Sequence, residues 1–280
     1  MISVLEVIKR TADFFAAKGI ESPRLNAELL VGHALGLKRM QLYLQFERLL
    51  TEPELESIRP LVRRRGTREP VQYILGETDF GGLKLKVDKR ALIPRPETER
   101  LVELLVQRCV PPPAAGLDLG TGSGAIALAL AAAWPECRVT GVDQSEAALA
   151  LAAENALATG LNARVDWLRS HWLEAVPAEA RYGLIVANPP YLTAAETAAA
   201  LAEVKDFEPA SALTAAENGL ADLRAIIGSA EAFLAPGGLV ALETGPEQHA
   251  ALREISQAAG WKTFESLPDL TGRDRFVFLS

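Results

Sequence analysis

The sequence predicts an α/β fold, a mostly parallel sheet covered on both faces by helices, preceded by a small helical domain and a hairpin linker. Three observations carry this prediction. Helical periodicity fills the first 65 residues, glycine-punctuated alternation follows, and from residue 116 onward strand-like and helix-like segments succeed one another. At 280 residues the chain is long enough for two domains, and 49% apolar with 23% charged residues is an ordinary globular composition.

Leu5, Ile8, Ala12 and Phe15 recur at helical spacing, as do Leu25, Leu29, Leu30 and His33, and then Glu54, Ile58, Leu61 and Val62. Ser22-Pro23 and Thr51-Glu52-Pro53 read as helix starts, each pairing a hydroxyl that can cap with a proline that needs no donor. His33, among apolar neighbours, reads as a packing residue. Residues 1–75 therefore read as a helical substrate-docking domain. From Tyr73 to Pro96, Gly76, Gly81 and Gly82 punctuate short alternating runs such as Leu83, Leu85 and Val87. This texture predicts a hairpin linker over 76–98 and a second domain over 99–280. After Pro111-Pro112-Pro113, strands are expected at 116–119, 138–142, 164–168, 184–187 and 239–243. Helices are expected at 125–133, 146–159 and 220–234, with a long irregular stretch after residue 188. Trp261 to Leu267 and Phe276 to Leu279, joined by a turn at Gly272, read as a closing hairpin.

Composition excludes several function classes. Met1 to Arg10 lacks a secretory pattern, and no stretch of about 18 apolar residues occurs, so a cytoplasmic protein without a membrane partner is expected. Cys109 and Cys137 are too few for a disulfide scaffold or zinc site, and three scattered histidines add no metal signature. The net charge is −7, split into +3 over residues 1–75 and −10 over the remainder. This argues against direct nucleic-acid binding, which is largely electrostatic. The basic run Arg63, Arg64, Arg65 and Arg68 reads either as a solvated helix end or as a docking surface for RNA or an RNA-bound protein.

Asp118-Leu119-Gly120-Thr121-Gly122-Ser123-Gly124 follows an apolar strand and opens a helix. Glycines in such a turn permit positive φ and let a ligand approach the backbone. The spacing is not G-x-G-x-x-G, and no P-loop lysine follows. Asp143 ends the next strand, about 20 residues on, where a carboxylate meets ribose hydroxyls in nucleotide folds. An adenosine-bearing ligand is indicated, with NAD and S-adenosylmethionine equally compatible. Trp172 offers a flat wall for an adenine ring.

Asn188-Pro189-Pro190-Tyr191 ends the strand 184–187, which in a doubly wound sheet lies beside the first strand, at the switch point where ligands bind. An amide nitrogen is a poor nucleophile because its lone pair is delocalised, so its orientation is the main requirement for reaction. The Asn188 oxygen and the Pro189 carbonyl can each accept one N–H of a planar NH₂ group. The prolines restrict the residues before them, and Tyr191 supplies an aromatic face. As the nitrogen gains a bond and positive charge, both hydrogen bonds strengthen. Adenine N6, cytosine N4 and a glutamine side-chain amide all satisfy this grip, and no strong general base is evident in the sequence nearby.

With these motifs the chain resembles the peptide chain release factor glutamine methyltransferase family (HemK/PrmC type) over nearly its whole length. Arg68-Glu69-Pro70-Val71-Gln72-Tyr73-Ile74-Leu75-Gly76, Leu92-Ile93-Pro94-Arg95-Pro96-Glu97-Thr98-Glu99, and Phe207-Glu208-Pro209 with Ala212-Leu213 carry the resemblance beyond the two motifs. It implies a Rossmann-like, seven-stranded class I S-adenosylmethionine-dependent methyltransferase domain that methylates N5 of the glutamine in the Gly-Gly-Gln motif of release factors. S-adenosyl-L-methionine is then the cofactor and S-adenosyl-L-homocysteine its product. By position, Gly120, Thr121, Gly122, Ser123, Gly124, Asp143, Trp172 and Asn188 would contact the cofactor. Asn188, Pro189, Pro190 and Tyr191 would contact the glutamine, with Asn188, Pro189 and Tyr191 the catalytic set and no metal. His171 departs from the pattern, standing where the family often has an acid. The related enzymes acting on a ribosomal protein usually carry a serine-containing variant of the Ile-Pro-Arg-Pro-Glu-Thr-Glu stretch, so the intact stretch here favours release factors. A nucleic-acid base methyltransferase would need a basic face that the −10 half lacks.

Overall fold

The computed structural model describes residues 2–280, which divide into two compact units. The first comprises residues up to Gly76 together with the excursion Leu201–Phe207; the second comprises Glu77–Ala200 and Glu208–Ser280. Among the described residues no helix is long and apolar enough to cross a membrane.

In the first unit, the short strands β1 (Ile2–Ser3) and β2 (Leu49–Leu50) pair antiparallel around the helices α1 (Val4–Ala17), α2 (Pro23–Leu35) and α3 (Arg39–Tyr43). Then come α4 (Glu52–Gly66) and α5 (Val71–Leu75). Ser3 caps α1 through the Glu6 N–H, while Thr51 opens α4 with its own N–H donated to Glu54 at 2.8 Å. Ser22 differs from expectation: it sits at φ 47° and makes no capping bond, and the Asn26 amide instead holds the Glu21 and Ser22 carbonyls. The buried faces also differ. On α1 the core side is Val4, Val7, Ile8, Thr11 and Phe15, with Leu5 only half-buried. On α2 it is Ala27, Leu30 and Val31, while Leu25 and His33 are exposed, so His33 is not a packing residue. Spacing alone leaves two adjacent stripes open, and burial of α1 and α2 against each other, with α4 beside α2, selects between them.

The basic run is largely consumed inside this unit. Arg65 is buried and donates to Asn26 Oδ1 and Glu203 Oε1, both at 2.8 Å; Arg68 donates to Glu203 Oε2 at 2.6 Å; Arg64 pairs with Glu69. Among the described residues, only Arg63 of the four stays exposed without such a pairing.

The second unit opens with the hairpin β3 (Glu77–Phe80) and β4 (Leu83–Lys86), then α6 (Pro96–Arg108). The alternation follows as β5 (Ala115–Leu119), α7 (Ala125–Ala133), β6 (Arg138–Asp143), α8 (Glu146–Thr159), β7 (Val165–Arg169) and β8 (Tyr182–Ala187). The stretch expected to be irregular holds three short helices, α9 (Ala194–Ala199), α10 (Ala202–Lys205, within the excursion) and α11 (Ala216–Gly219). The chain ends with α12 (Ala221–Ser229), β9 (Leu234–Glu243), α13 (His249–Ala258), β10 (Phe264–Pro268) and β11 (Asp274–Leu279). The helix expected to reach residue 234 stops at Ser229, and β9 starts early. Pro236-Gly237-Gly238 loops out between its two paired segments, so Tyr182 faces Leu234 but Leu184 faces Leu239.

The seven strands lie in the order β10-β11-β9-β8-β5-β6-β7, parallel except for β11 and β10. Successive residues point to opposite faces. Leu184 and Val186 of β8, with Phe276 and Phe278 of β11, enter one core with Leu101, Leu105 and the alanine-rich α7. Ile185, Ala187, Val277 and Leu279 enter the other, with Leu223, Ile226 and Leu252. Because both faces are covered, the strands read as continuous apolar runs. The hairpin is built into the first of these cores through Phe80 and Leu85.

Phe278 is fully buried in that core, so Phe278→Ala is expected to lower the unfolding free energy by about 3–5 kcal/mol in urea titrations, the cost of a phenyl-sized cavity.

Candidate active site

The glycine turn leaves β5 at Leu119, and its shape is set from both sides. The Gly120 and Thr121 N–H groups both donate to the Val142 carbonyl at 2.8 Å. Asp118, fully buried, accepts the Thr121 hydroxyl at 2.6 Å and the Ala127 N–H at 3.1 Å on one oxygen, while its other oxygen has no partner. Burial pushes this carboxyl up to about 7. Gly120 adopts φ +72°, and a Cβ there would lie 3.2 Å from the Trp172 ring, so the turn needs a residue with no side chain. Asp143 holds the turn to the next helix: Oδ2 accepts the Gly122 N–H and Oδ1 the Ser145 N–H, each at 2.9 Å. The Gln144 N–H also reaches this carboxylate, whose two oxygens together keep acceptor capacity for a ligand hydroxyl. Burial raises the Asp143 carboxyl despite these bonds.

A cavity of about 460 Å³ opens over this turn. Gly120, Thr121, Gly122, Ser123, Asp143, Trp172, Asn188 and Pro190 line it. The pairing of Leu119 with Ala187 brings the two motifs to the same end of neighbouring parallel strands. Gly124, Pro189 and Tyr191 do not line it. Gly124 starts α7 at φ +81°, close against Trp167 and Ala152. Pro189 is buried, and the Tyr191 ring packs against the core that contains Leu242. The Thr121 hydroxyl is spent on Asp118. Trp172 sits in the left-handed region at φ 46°, its indole N–H donating to Asp222 at 3.0 Å, and its ring lies against Gly120. His171 also lines the cavity and pairs with Glu174 at 3.1 Å.

Several residues of the candidate site lie outside the two motifs. The segment after the hairpin, including Ala91, Leu92, Pro94 and Arg95, forms a wall of the cavity, and Pro209, Ser211 and Ala212 form another. Arg95 and the buried Glu208 join these walls with an ion pair at 2.5 Å. Asn155, fully buried in α8, accepts the Lys86 N–H at 2.7 Å and donates to the Lys86 and Ser123 carbonyls, tying hairpin to glycine turn. Behind Asn188 lies a chain of polar groups. Asn188 Nδ2 donates to Thr98 Oγ1 at 3.0 Å, and Thr98 donates to Glu243 Oε2 at 2.7 Å. Tyr191 donates to Glu243 Oε1 at 3.3 Å. Burial pushes Glu243 up to about 7 and raises the Tyr191 phenol. A titratable carboxyl thus stands two hydrogen bonds from Asn188, which the sequence motif alone does not reveal. The Tyr191 carbonyl is held by Gln248 at 2.9 Å and passes so close to Gly219 that a Cβ there would sit 2.2 Å away.

The sheet order, its reversed last strand and the cavity at the parallel strands' carboxyl ends define a Rossmann-like class I methyltransferase. A solved T. thermophilus 16S rRNA N2 methyltransferase, determined with AdoMet and guanosine, shares this fold with TM-score 0.53 and 24% identity, over 73% of this chain and 49% of that one. Family models for the PrmC N-terminal domain and for the methyltransferase small domain match residues 6–76 and 97–219. The release factor glutamine methyltransferase of Vibrio cholerae is 40% identical over 98% of this chain and 95% of that protein. That of Chlorobaculum tepidum is 44% identical over 90% and 89%. The chain belongs to the release factor glutamine methyltransferase family.

Asn155→Ala removes three hydrogen bonds made by a fully buried side chain, one of them to the buried Ser123 carbonyl, and is expected to lower the unfolding free energy by about 2–4 kcal/mol in chemical denaturation. Asp118 titrates near 7 when folded but at about 4 in an unfolded chain. The folded state therefore holds the extra proton between these values, and stability is lost as pH rises through that window. Unfolding titrations from about pH 5 to 8 should show wild type losing stability relative to Asp118→Asn.

Proposed function

We propose that this chain transfers the methyl group of S-adenosylmethionine to the side-chain amide nitrogen (N5) of the glutamine in the Gly-Gly-Gln motif of peptide chain release factors. The observation that carries the reading is that Asn188 and Pro190 share one cavity with the glycine turn and Asp143. Family membership supplies the substrate class, since the relatives named above are called release factor glutamine methyltransferases.

The residues present fit the cofactor. The side-chain-free turn at Gly120 leaves backbone accessible, Asp143 retains lone pairs, and Ala125, Ile126, Ala147 and Ala148 give the cavity an apolar wall. Gly120 to Gly124, Asp143, Trp172 and Asn188 are assigned to hold it, with Gly124 acting through the start of α7. When bound, the cofactor supplies an electrophilic methyl group on a sulfonium.

The protein's part is orientation. Asn188 Oδ1 and the Pro189 carbonyl accept the two N–H bonds of the glutamine amide, turning the nitrogen face toward the methyl donor. Both acceptors bind more strongly as the nitrogen becomes cationic, so they favour the transition state over the bound substrate. Pro190 forms the adjoining wall. Tyr191, which does not line the cavity, is assigned to the glutamine side only indirectly, by fixing the turn through its hydroxyl on Glu243 and its carbonyl on Gln248.

Mass spectrometry of an unmethylated release factor, incubated with the protein and S-adenosylmethionine, is expected to find one added methyl on the peptide holding the Gly-Gly-Gln glutamine. Transfer to a ribosomal protein or to nucleic acid instead would overturn the substrate assignment and keep the amide chemistry. Asn188→Ala is expected to cut transfer by about 100-fold or more with an unchanged melting temperature. Near-normal turnover by that variant would sink the grip.

A further inference from the structure

The chain of polar groups behind Asn188 has a direction. Arg275 Nη1 can only donate, and it lies 3.3 Å from the Tyr191 hydroxyl. Tyr191 accepts that bond, so its own proton goes to Glu243 Oε1. Glu243 as a carboxylate can only accept, and it takes a second proton donor, the Thr98 hydroxyl, on Oε2. A threonine hydroxyl has one hydrogen. With that hydrogen committed to Glu243, the Thr98 oxygen can only accept from its other neighbour, the Asn188 side chain at 3.0 Å. The group of Asn188 that meets Thr98 must then be its NH₂, which leaves Oδ1 on the other side of the amide plane. The carboxylate thus acts as a sink toward which the proton donors on both sides of it point.

We propose that Thr98 and Glu243 are positioning residues that orient the Asn188 side-chain amide so that its oxygen, and not its nitrogen, is presented to the substrate. This rests on the amide grip proposed above and identifies what enforces it. An asparagine amide has nearly the same shape when flipped, so packing alone does not choose between its two orientations. In the wrong one, its NH₂ would face the NH₂ of the target, two donors with no acceptor between them, and the grip would repel its substrate.

The sink works only while Glu243 is ionised. The groups facing it are Thr98 and Glu97 from α6, Tyr191 from the loop after β8, and Arg275 from β11. Burial raises the carboxyl to about 7; the Thr98 bond and the Arg275 charge oppose this, and Glu97 adds to it. Once protonated, Glu243 can donate to Thr98, whose hydrogen is freed to turn toward Asn188 and favour the flipped amide. Turnover therefore rises as pH increases through about 7.

Thr98→Val keeps the shape of the side chain and removes the relay, whereas Thr98→Ser keeps the hydroxyl. With wild type run beside them on a release-factor substrate, Thr98→Val is expected to lower kcat by about 30–100-fold, with the KM for S-adenosylmethionine within about twofold, and to flatten the pH profile. Thr98→Ser should restore most of kcat and the rise through pH 7. A folded Thr98→Val protein with wild-type kcat and an unchanged pH profile overturns the proposal. A second measurement needs no substrate: the Asn188 side-chain amide resonances, identified by their loss in Asn188→Asp. In wild type one amide proton is expected to be shielded from solvent exchange above pH 7 and to lose that shielding as pH falls through 7. Rapid exchange of both protons across that range would overturn the relay. Wild type failing to methylate the release factor would instead count against the proposed function, and the resonances would still decide the relay.

Discussion

The parallel pairing of β5 with β8 is the constraint on which the rest of the molecule depends. It aligns Leu119 with Ala187, so two turns that are far apart in sequence leave the sheet side by side at the same edge. A one-residue slip in either strand would exchange the residues of its two faces, sending Asp118 into an apolar layer and Leu119 away from it. The two cores pin that register, since each face of β8 is filled by its own set of helices. The cavity is therefore a by-product of core packing, fixed before any ligand is considered.

Around that edge, the walls come from segments that secondary structure does not unite. The stretch after the hairpin and the stretch around Pro209 are joined by Arg95 and Glu208, whose separation in sequence is 113 residues. Glu208 is buried, and burial raises its carboxyl against the pull of Arg95. Breaking such a pair would leave an uncompensated charge inside the protein, so the two walls are held with more force than a surface ion pair would supply. Asn155 performs the same task with neutral groups, reaching from the middle of a helix to the end of β4 and to the glycine turn at once.

What was legible in the sequence was local. The glycine turn, the Asn188-Pro189-Pro190-Tyr191 turn and the order of strands and helices each have a signature within a few residues; both turns end the strands their signatures follow, while the ends of α12 and β9 and the helices after residue 193 depart from it. Less legible was which side of a helix faces inward. Leu5 and Leu25 have the right residue type and spacing, yet Val4 and Ala27 take the core positions because neighbouring helices lie on their side. Least legible were residues whose role is a partnership. Glu243 ends an apolar strand, and nothing near it in sequence says that Thr98, at a separation of 145 residues, needs an anion. Asn155 looks like an ordinary polar residue in an alanine-rich helix. Gly219 reads as a turn glycine, but what excludes a side chain there is the Tyr191 carbonyl. These contacts exist only once the sheet has closed.

The first unit also carries a consequence for the order in which the chain matures. Arg65 finds its anionic partner, Glu203, 138 residues later in the sequence. At translation speeds of about 5–20 residues per second, Arg65 is synthesised roughly 7 to 28 seconds before Glu203. During that interval Arg65 and Arg68 have no Glu203 to neutralise them. The carboxylate that Arg65 and Arg68 share thus arrives only with the 201–207 excursion, after the Asn188-Pro189-Pro190-Tyr191 turn has been made, and a chain truncated before residue 203 would lack it.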